Sequence, residues 1–411
     1  MAGTKYVILL GDGMPDWPIE EMGGKTPLAL AATPNLDRMA RDGAAGSAKT
    51  TPKGFYPGSD ITNMGILGYD PNKYYTGRAP LEAAAMGLKL GPKDVAFRLN
   101  LVTLQPVVTG LVMQDFSAGH IETEDSTKLI ADMDKALGGG RVSFHPGVSY
   151  RHIMVIKDAA EMAGMKLTPP HDISDQNIRE HMPKGEGAEE VLRITNEAQM
   201  FLKTHKVNAR RAKDGKKEAN SIWLWGQGLA PSMPKLADLR GIKGAMITAV
   251  DLMRGIAKLA GMKVIDVPGA TGWIDTNYEG KAAACLKALE EVDLVYLHVE
   301  SPDESGHAGS LEYKIQAITD FDRKVVGPVL DGVKKFGDYR VMALSDHATP
   351  LAIKTHCDDP VPFAIYPRPA EAVMTTEAAS GAIGAYDEGI IKTSPLKFDD
   401  AVSLFEYFTK G

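Results

Sequence analysis

Cysteine is nearly absent from this chain. Cys285 and Cys357 are the only two in 411 residues, too few for a disulfide framework, and that scarcity fits a reducing compartment. Long apolar runs are missing too: none reaches the ~18 residues that a membrane-crossing helix needs. No sign of charge dominates, since 46 Lys and Arg stand against 53 Asp and Glu, for a formal net charge of −7. A mild acidic balance spread along the chain argues against nucleic acid or an anionic membrane as partner. Met1-Ala-Gly-Thr-Lys leads directly into a strand pattern, without the charged head, apolar stretch and small-residue cleavage site of a secretory leader. The expectation is a soluble cytoplasmic protein. No feature specifies an oligomer, and there is no internal repeat or low-complexity tract.

What the chain does have is three strand-like runs that each stop at a carboxylate. Lys5-Tyr-Val-Ile-Leu-Leu runs into Gly11-Asp12-Gly13, Asp293-Leu-Val-Tyr-Leu-His-Val runs towards Asp303-Glu-Ser-Gly-His307, and Tyr339-Arg-Val-Met-Ala-Leu runs into Ser345-Asp346-His347. Buried parallel strands read as continuous apolar runs, and ligands bind outside their carboxyl ends. Three acids at three strand ends therefore point to one shared site. His307 and His347 accompany two of the acids, and His356 follows nine residues after His347. Aspartate with imidazole is a ligand set for divalent metal.

Each of these features has a plain structural alternative. Asp303 and His307, four apart, share a helix face or converge on a loop, but an Asp capping a turn beside a solvated His gives the same sequence. Ser59 opens a helix-like stretch, where a serine serves either as N-cap or as an oxygen nucleophile in the positive field of the helix end. Arg210 and Arg211 lie in a lysine-rich stretch and read as solvated, and the 19 methionines read as core filling.

Along the chain, Thr33 and Pro34 open a helix that Gly43 can stop. Gly77-Arg-Ala-Pro opens another, Leu81 to Met86. From about 93 the texture changes, with strands at Phe97 and His152 around a helix from Glu124 to Leu137. A Pro- and Gly-rich stretch, Thr168 to Gly187, reads as loop. Strands then alternate with helices to the end, which implies βαβ units. The expected fold class is α/β: a discontinuous core of residues 1–92 and 190–411 with a central, mostly parallel sheet flanked by helices, and a smaller inserted α+β domain over 93–189. At 411 residues the chain exceeds the size of a single core.

The motifs Gly11-Asp-Gly-Met14, Gly24-Lys-Thr-Pro-Leu, Thr33-Pro-Asn-Leu-Asp, Gly58-Ser-Asp60, Leu67-Gly-Tyr-Asp-Pro, Gly77-Arg-Ala-Pro-Leu-Glu-Ala, Ser301-Pro-Asp-Glu-Ser-Gly-His307, Ser345-Asp-His347 and His356-Cys-Asp-Asp-Pro-Val-Pro-Phe together resemble the archaeal-type cofactor-independent phosphoglycerate mutases. These belong to the alkaline phosphatase superfamily, and the resemblance runs nearly end to end. It implies an alkaline-phosphatase-like core, a phosphorylated small metabolite as substrate, and no 2,3-bisphosphoglycerate. It also implies two divalent ions, Mn²⁺ with Mg²⁺ or Zn²⁺ as alternatives. Asp12, Ser59, Asp346 and His347 would hold one, and Asp303, His307 and His356 the other. Ser59 would take the phosphoryl group and return it to the other hydroxyl of glycerate. Arg78, Arg98 and Arg151 are candidates to hold the anion, since guanidinium forks match phosphate and carboxylate. Asn63, Asn100, His120, His152, His171 and Asp172 are candidates to hold hydroxyls or relay protons. The family pattern has arginine where this chain has His120.

Three alternatives stay open. A bacterial branch of the family is proposed to act as homoserine kinases, and His145-Pro-Gly-Val-Ser-Tyr-Arg-His152 and Asn220-Ser-Ile-Trp resemble it. A phosphomonoesterase would need water at the phosphoserine, which an inserted lid would exclude. A metal-binding protein without activity would not label Ser59. If the histidines are ligands, metal occupancy should fall as pH drops through their range.

Overall fold

The computed structural model describes residues 3–368 and 383–410, so residues 369–382 of the expected core lie outside the described residues. The strands are β1 (Lys5–Gly11), β2 (Ala44–Ala48), β3 (Val95–Val107), β4 (Gly110–Asp115), β5 (Val142–His145), β6 (Arg151–Ile156), β7 (Ser221–Leu229), β8 (Gly244–Ile247), β9 (Lys263–Ile265), β10 (Leu294–Val299), β11 (Tyr339–Leu344), β12 (Val361–Tyr366) and β13 (Lys397–Phe398). The chain divides into two compact units, Met1–Tyr75 with Met233–Gly411, and Thr76–Ser232.

The first unit is built on an eight-stranded sheet in the order β13-β2-β12-β11-β1-β10-β8-β9. It is mostly parallel; only β12 runs antiparallel to its neighbours β11 and β2. Val7–Leu10, Leu294–Leu297 and Val341–Leu344 have no exposed surface, as expected for strands covered on both faces. Val7, Leu9, Val295 and Val341 share one core with Leu36, Met39, Phe321 and Leu330 from the covering helices. In register, Leu10 lies opposite Leu344 and Gly11 opposite Val299, so β11, β1 and β10 end level with one another. The three acid-bearing strand ends are therefore adjacent.

Two local details bear on the sequence signals. Thr33 occupies the N-cap position of the Pro34–Asp42 helix without a side-chain cap bond. The cap comes from Asp322, whose carboxylate accepts the amides of Asn35 and Leu36 at 3.2 and 2.7 Å. Asp322 sits in a single π-helical turn, Asp322–Val326, that follows the Leu311–Phe321 helix.

The second unit centres on β3, which pairs antiparallel with β4, β6 and β7. One face carries Val95, Phe97, Leu99 and Leu101 into a core with Leu129, Met133, Ile194 and Leu202 from the helices Thr123–Leu137 and Ala188–Thr204. This unit is wider than 93–189. The Arg78–Ala85 helix packs on β3 and β7, and β7 pairs with β3 from Val95 to Val102. Strand pairing across more than a hundred residues draws β7 into this unit, and no local signal announces such a partner. Arg211 is not solvated: it is 1% exposed and donates to Glu122, Asp125 and the carbonyls of Ala118 and Lys217.

Candidate active site

Asp12 follows β1, Asp303 and His307 lie on the Ser301–His307 helix after β10, and Asp346 and His347 follow β11. All sit in the first unit, and their donor atoms converge. One group joins Asp12, Asp303 and His347, and a second joins Asp303, His307 and His356, with the donor atoms of each group within 4.8 Å of one another. The approach is tight. Gly13, at φ 61°, passes so close that a Cβ there would stand 2.7 Å from Asp303 Oδ1 and 2.5 Å from Thr349 Oγ1, so both backbone conformation and space require glycine.

Ser59 is the first residue of the Ser59–Ile66 helix, with Gly58 as N-cap and no side-chain cap bond. Its hydroxyl therefore does not serve the helix end. Oγ lies 3.2 Å from His347 Nε2 instead. Asn63, one turn on, is fully buried; its amide donates to Asp346 Oδ2 at 2.8 Å and to the Ser59 carbonyl at 2.9 Å, and its Oδ1 accepts from Tyr296. The other Asp346 oxygen accepts the His347 amide at 3.0 Å.

The donor set fits divalent ions. His307 Nδ1 donates to the Lys354 carbonyl at 2.9 Å and His356 Nδ1 to the Pro57 carbonyl at 2.8 Å. Their Nε2 atoms face each other at 3.0 Å, with Asp303 oxygens at 3.2 and 3.5 Å. Two imidazole lone pairs and a carboxylate at that separation repel unless a cation or a proton lies among them. A proton does so here: the Asp303 hydrogen bond raises His307 to about 9. Burial, then the neighbouring His347, lowers His356 to about 4. For Asp303, burial works upward, but the His307 hydrogen bond and the nearby histidine charges outweigh it and hold the carboxyl below its usual range. Asp12 shows the opposite balance. Burial and then the charges of Asp346 and Asp303 push it well up, and its buried Oδ1 makes no hydrogen bond. Unit charges ~4 Å apart at an effective dielectric of ~20 interact by about 4 kcal/mol, so carboxylates this close call for positive charge.

In the second unit, alternation along β3, β6 and β7 sorts the remaining candidates. Arg98 is paired across the strands with Ile153 and Trp225, and Asn100 with Arg151, which puts Arg98, Asn100 and Arg151 on one face. Arg98 is 6% exposed, stacks 4.1 Å over Trp225 and pairs with Glu82 at 2.9 Å. Arg78 also meets Glu82, at 3.1 Å. Burial raises the Glu82 carboxyl, yet Arg98 and Arg78 bring it below its usual range, so it stays ionised. Arg98 and Arg78 thus share one carboxylate, and the Arg151 charge lies near enough to lower it further. His171 is exposed, meets Trp225 edge-on at 5.1 Å and lies 3.7 Å from Asp172. His120 is exposed at φ 50° beside Tyr150.

Two candidates sit apart from that surface chemistry. Asn100 donates to the Phe116 carbonyl and accepts from Trp225, both at 3.0 Å, which uses its amide internally. His152, next to Arg151 in β6, points to the opposite, helix-covered face; it is 2% exposed, and burial lowers it to about 3.

The model of the 2,3-bisphosphoglycerate-independent phosphoglycerate mutase family matches residues 40–208. A mutase of that description from Methanothrix thermoacetophila is 54% identical, over 88% of this chain and 90% of its own. A protein named as a probable mutase of the same kind, from Geobacter sulfurreducens, is 52% identical, covering 98% of both chains. The chain belongs to this family. A solved protein from Pyrococcus horikoshii shares the fold, with a TM-score of 0.81 and 28% identity, over 98% of this chain and 96% of that one.

Several residues around this mutase-family site carry no motif of their own. His298 lies inside β10 and reaches Asp12 at 2.9 Å. Thr349 donates to Asp303. Lys314, fully buried, donates to Asp16 at 2.8 Å and to the carbonyls of Pro15 and Thr349, tying the loop after Asp12 to the loop after His347. Within the second unit, taken by itself, Glu82 and Trp225 organise Arg98. A lysine or histidine inside an apolar segment is the one signal that could have found the first and third.

Proposed function

We propose that this protein is a metal-dependent phosphoglycerate mutase that interconverts 3-phosphoglycerate and 2-phosphoglycerate through a phosphoserine on Ser59. The observation that carries this reading is a serine hydroxyl released from helix capping and set 3.2 Å from His347 among converging acids and imidazoles. Membership of the mutase family supports the choice of substrate. Asp12, Ser59, Asp346 and His347 would hold one divalent ion, and Asp303, His307 and His356 another, with Mn²⁺ suited to mixed oxygen and imidazole donors. When bound, the ions supply the positive charge that neutralises a phosphoryl group and favours the ionised Ser59 oxygen.

The chain's own groups do the rest. The ionised Ser59 Oγ forms the new P–O bond as the bond to the glycerate oxygen breaks and that oxygen takes up a proton; in the second transfer the other hydroxyl gives up a proton as it attacks phosphorus, and the P–O bond to Ser59 breaks. Asn63 fixes Asp346 and, through the Ser59 carbonyl, the first turn of the helix that carries the nucleophile. Arg78, Arg98 and Arg151 hold the anion, while Glu82 keeps the first two in place. The unit Thr76–Ser232 is then the substrate-binding part, and His120, His171 and Asp172 stand on its exposed surface to meet hydroxyls. No helix among the described residues is long and apolar enough to cross a membrane, and a cytoplasmic location goes with a glycolytic substrate.

The test is isotopic. Protein loaded with Mn²⁺ and given phosphoryl-labelled 3-phosphoglycerate should form 2-phosphoglycerate and carry label on Ser59. Ser59→Ala should fold and lose turnover by about a thousandfold or more. Absence of 2-phosphoglycerate with the wild-type chain, or full turnover by the variant, would overturn the proposal.

A further inference from the structure

His298 is a polar residue in the strand Leu294–Val299, 1% exposed, in a run that is otherwise apolar except for the Tyr296 hydroxyl. Both ring nitrogens are engaged. The Val250 amide donates to Thr248 Oγ1 at 3.0 Å, and Thr248 Oγ1 lies 3.0 Å from His298 Nδ1. His298 Nε2 lies 2.9 Å from Asp12 Oδ2. A bound metal ion requires Asp12 ionised, whatever its proton in the metal-free chain; Oδ2 then can only accept, so Nε2 carries the proton and Nδ1 accepts from the Thr248 hydroxyl. Protons thus point one way along the chain Val250, Thr248, His298, Asp12. The consequence falls on the other oxygen. Asp12 Oδ1 is buried and makes no hydrogen bond, and it lies 3.5 Å from His347 Nε2.

We propose that Thr248 and His298 are positioning residues that make Asp12 a one-oxygen ligand, the imidazole N–H occupying Oδ2 so that Oδ1 alone faces the metal site. This rests on the metal-site reading above. A free carboxylate rotates and can chelate through both oxygens; one anchored at Oδ2 offers a single donor at a fixed place. Outer partners of this kind typically change metal affinity by about 10- to 100-fold when removed.

The experiment is Mn²⁺ titration of the full-length, metal-stripped chain by calorimetry, with folding followed by circular dichroism. His298→Leu keeps the bulk and removes the donor; its affinity should fall about 10- to 100-fold. His298→Gln can place an amide N–H near the Nε2 position and should recover most of that loss. Thr248→Val should weaken binding several-fold, and Thr248→Ser should match the wild type. Unchanged affinity in His298→Leu, or equal losses in Leu and Gln, would overturn the proposal. If His298→Leu does not fold, Thr248→Val decides: affinity equal to wild type overturns it. A wild-type chain that takes up no Mn²⁺ removes the metal site and this role with it, whereas normal uptake by both wild type and His298→Leu removes the positioning role alone.

Discussion

The proton held between His307, His356 and Asp303 must leave before a cation can take its place, which makes metal binding measurably pH-dependent. The Asp303 hydrogen bond holds His307 at about 9. Near pH 7 that imidazole is protonated in the metal-free chain, and only about 1% is in the neutral form a ligand needs. Binding should therefore release a proton, and the apparent Mn²⁺ affinity should rise with pH until about 9, then level off. The full rise from pH 7 to the plateau above pH 9 corresponds to about 100-fold. The His307 side chain is 36% exposed, so solvent screening reduces this to about 10- to 100-fold. Calorimetry in buffers of different ionisation heat counts the protons: the number released should be at least one per chain near pH 7 and smaller by about one, the His307 proton, near pH 10. The sign for stability follows the same group. A folded pKa raised above the unfolded value near 6.5 stabilises the metal-free chain fully below that value, and the contribution is lost as pH rises through 9. Metal-free protein should thus melt at a lower temperature near pH 10 than near pH 7, while Mn²⁺-loaded protein should lack this component. Binding with no proton release near pH 7 would refute the cluster as a metal site.

Two further perturbations probe the surrounding structure. Lys314→Met leaves Asp16 buried without its ammonium; breaking a buried pair on one side costs about 3 kcal/mol or more, readable by urea denaturation, and a change under about 1 kcal/mol would show that the backbone amides of Trp17 and Leu351 satisfy Asp16 alone. Arg151→Gln removes an exposed guanidinium without touching the core, so melting should be unchanged while KM for phosphoglycerate rises about tenfold, and an unchanged KM would take Arg151 out of substrate binding.

The parts of this molecule legible in the sequence are those in which a local pattern determines a direction. Apolar runs ending at Asp12 and Asp346, with Asp303 just beyond a third, read as buried parallel strands, and such strands deliver their last residues to the same edge. Alternation was equally available for β6: neighbours in a strand face opposite ways, so Arg151 and His152 could not both line one surface. Ser59 was ambiguous for a physical reason, because a nucleophile and an N-cap occupy the same helix end; only the position of Gly58 as the actual cap separates them. The limits of the second unit were hidden because β7 and the Arg78–Ala85 helix join it through β3, far away along the chain.

His298 shows where pattern reading has to stop and geometry take over. It sits one residue before the end of β10, opposite Leu10 of β1, inside the very run whose apolar character identified the strand. A histidine there is indistinguishable from a tolerated core residue until the neighbouring strands are known. Once β8, β10 and β1 are seen to be adjacent, Thr248 beyond the end of β8, His298 in β10 and Asp12 after β1 form a row across the sheet. Strands lie about 4.8 Å apart, close to the length a side chain and one hydrogen bond can bridge. The same spacing governs the site itself. Three adjacent strand ends span about 10 Å, enough for two ions about 4 Å apart with a donor on either side. One strand end could not supply that width, which is a physical reason for acids to recur on β10, β1 and β11 rather than cluster on a single loop.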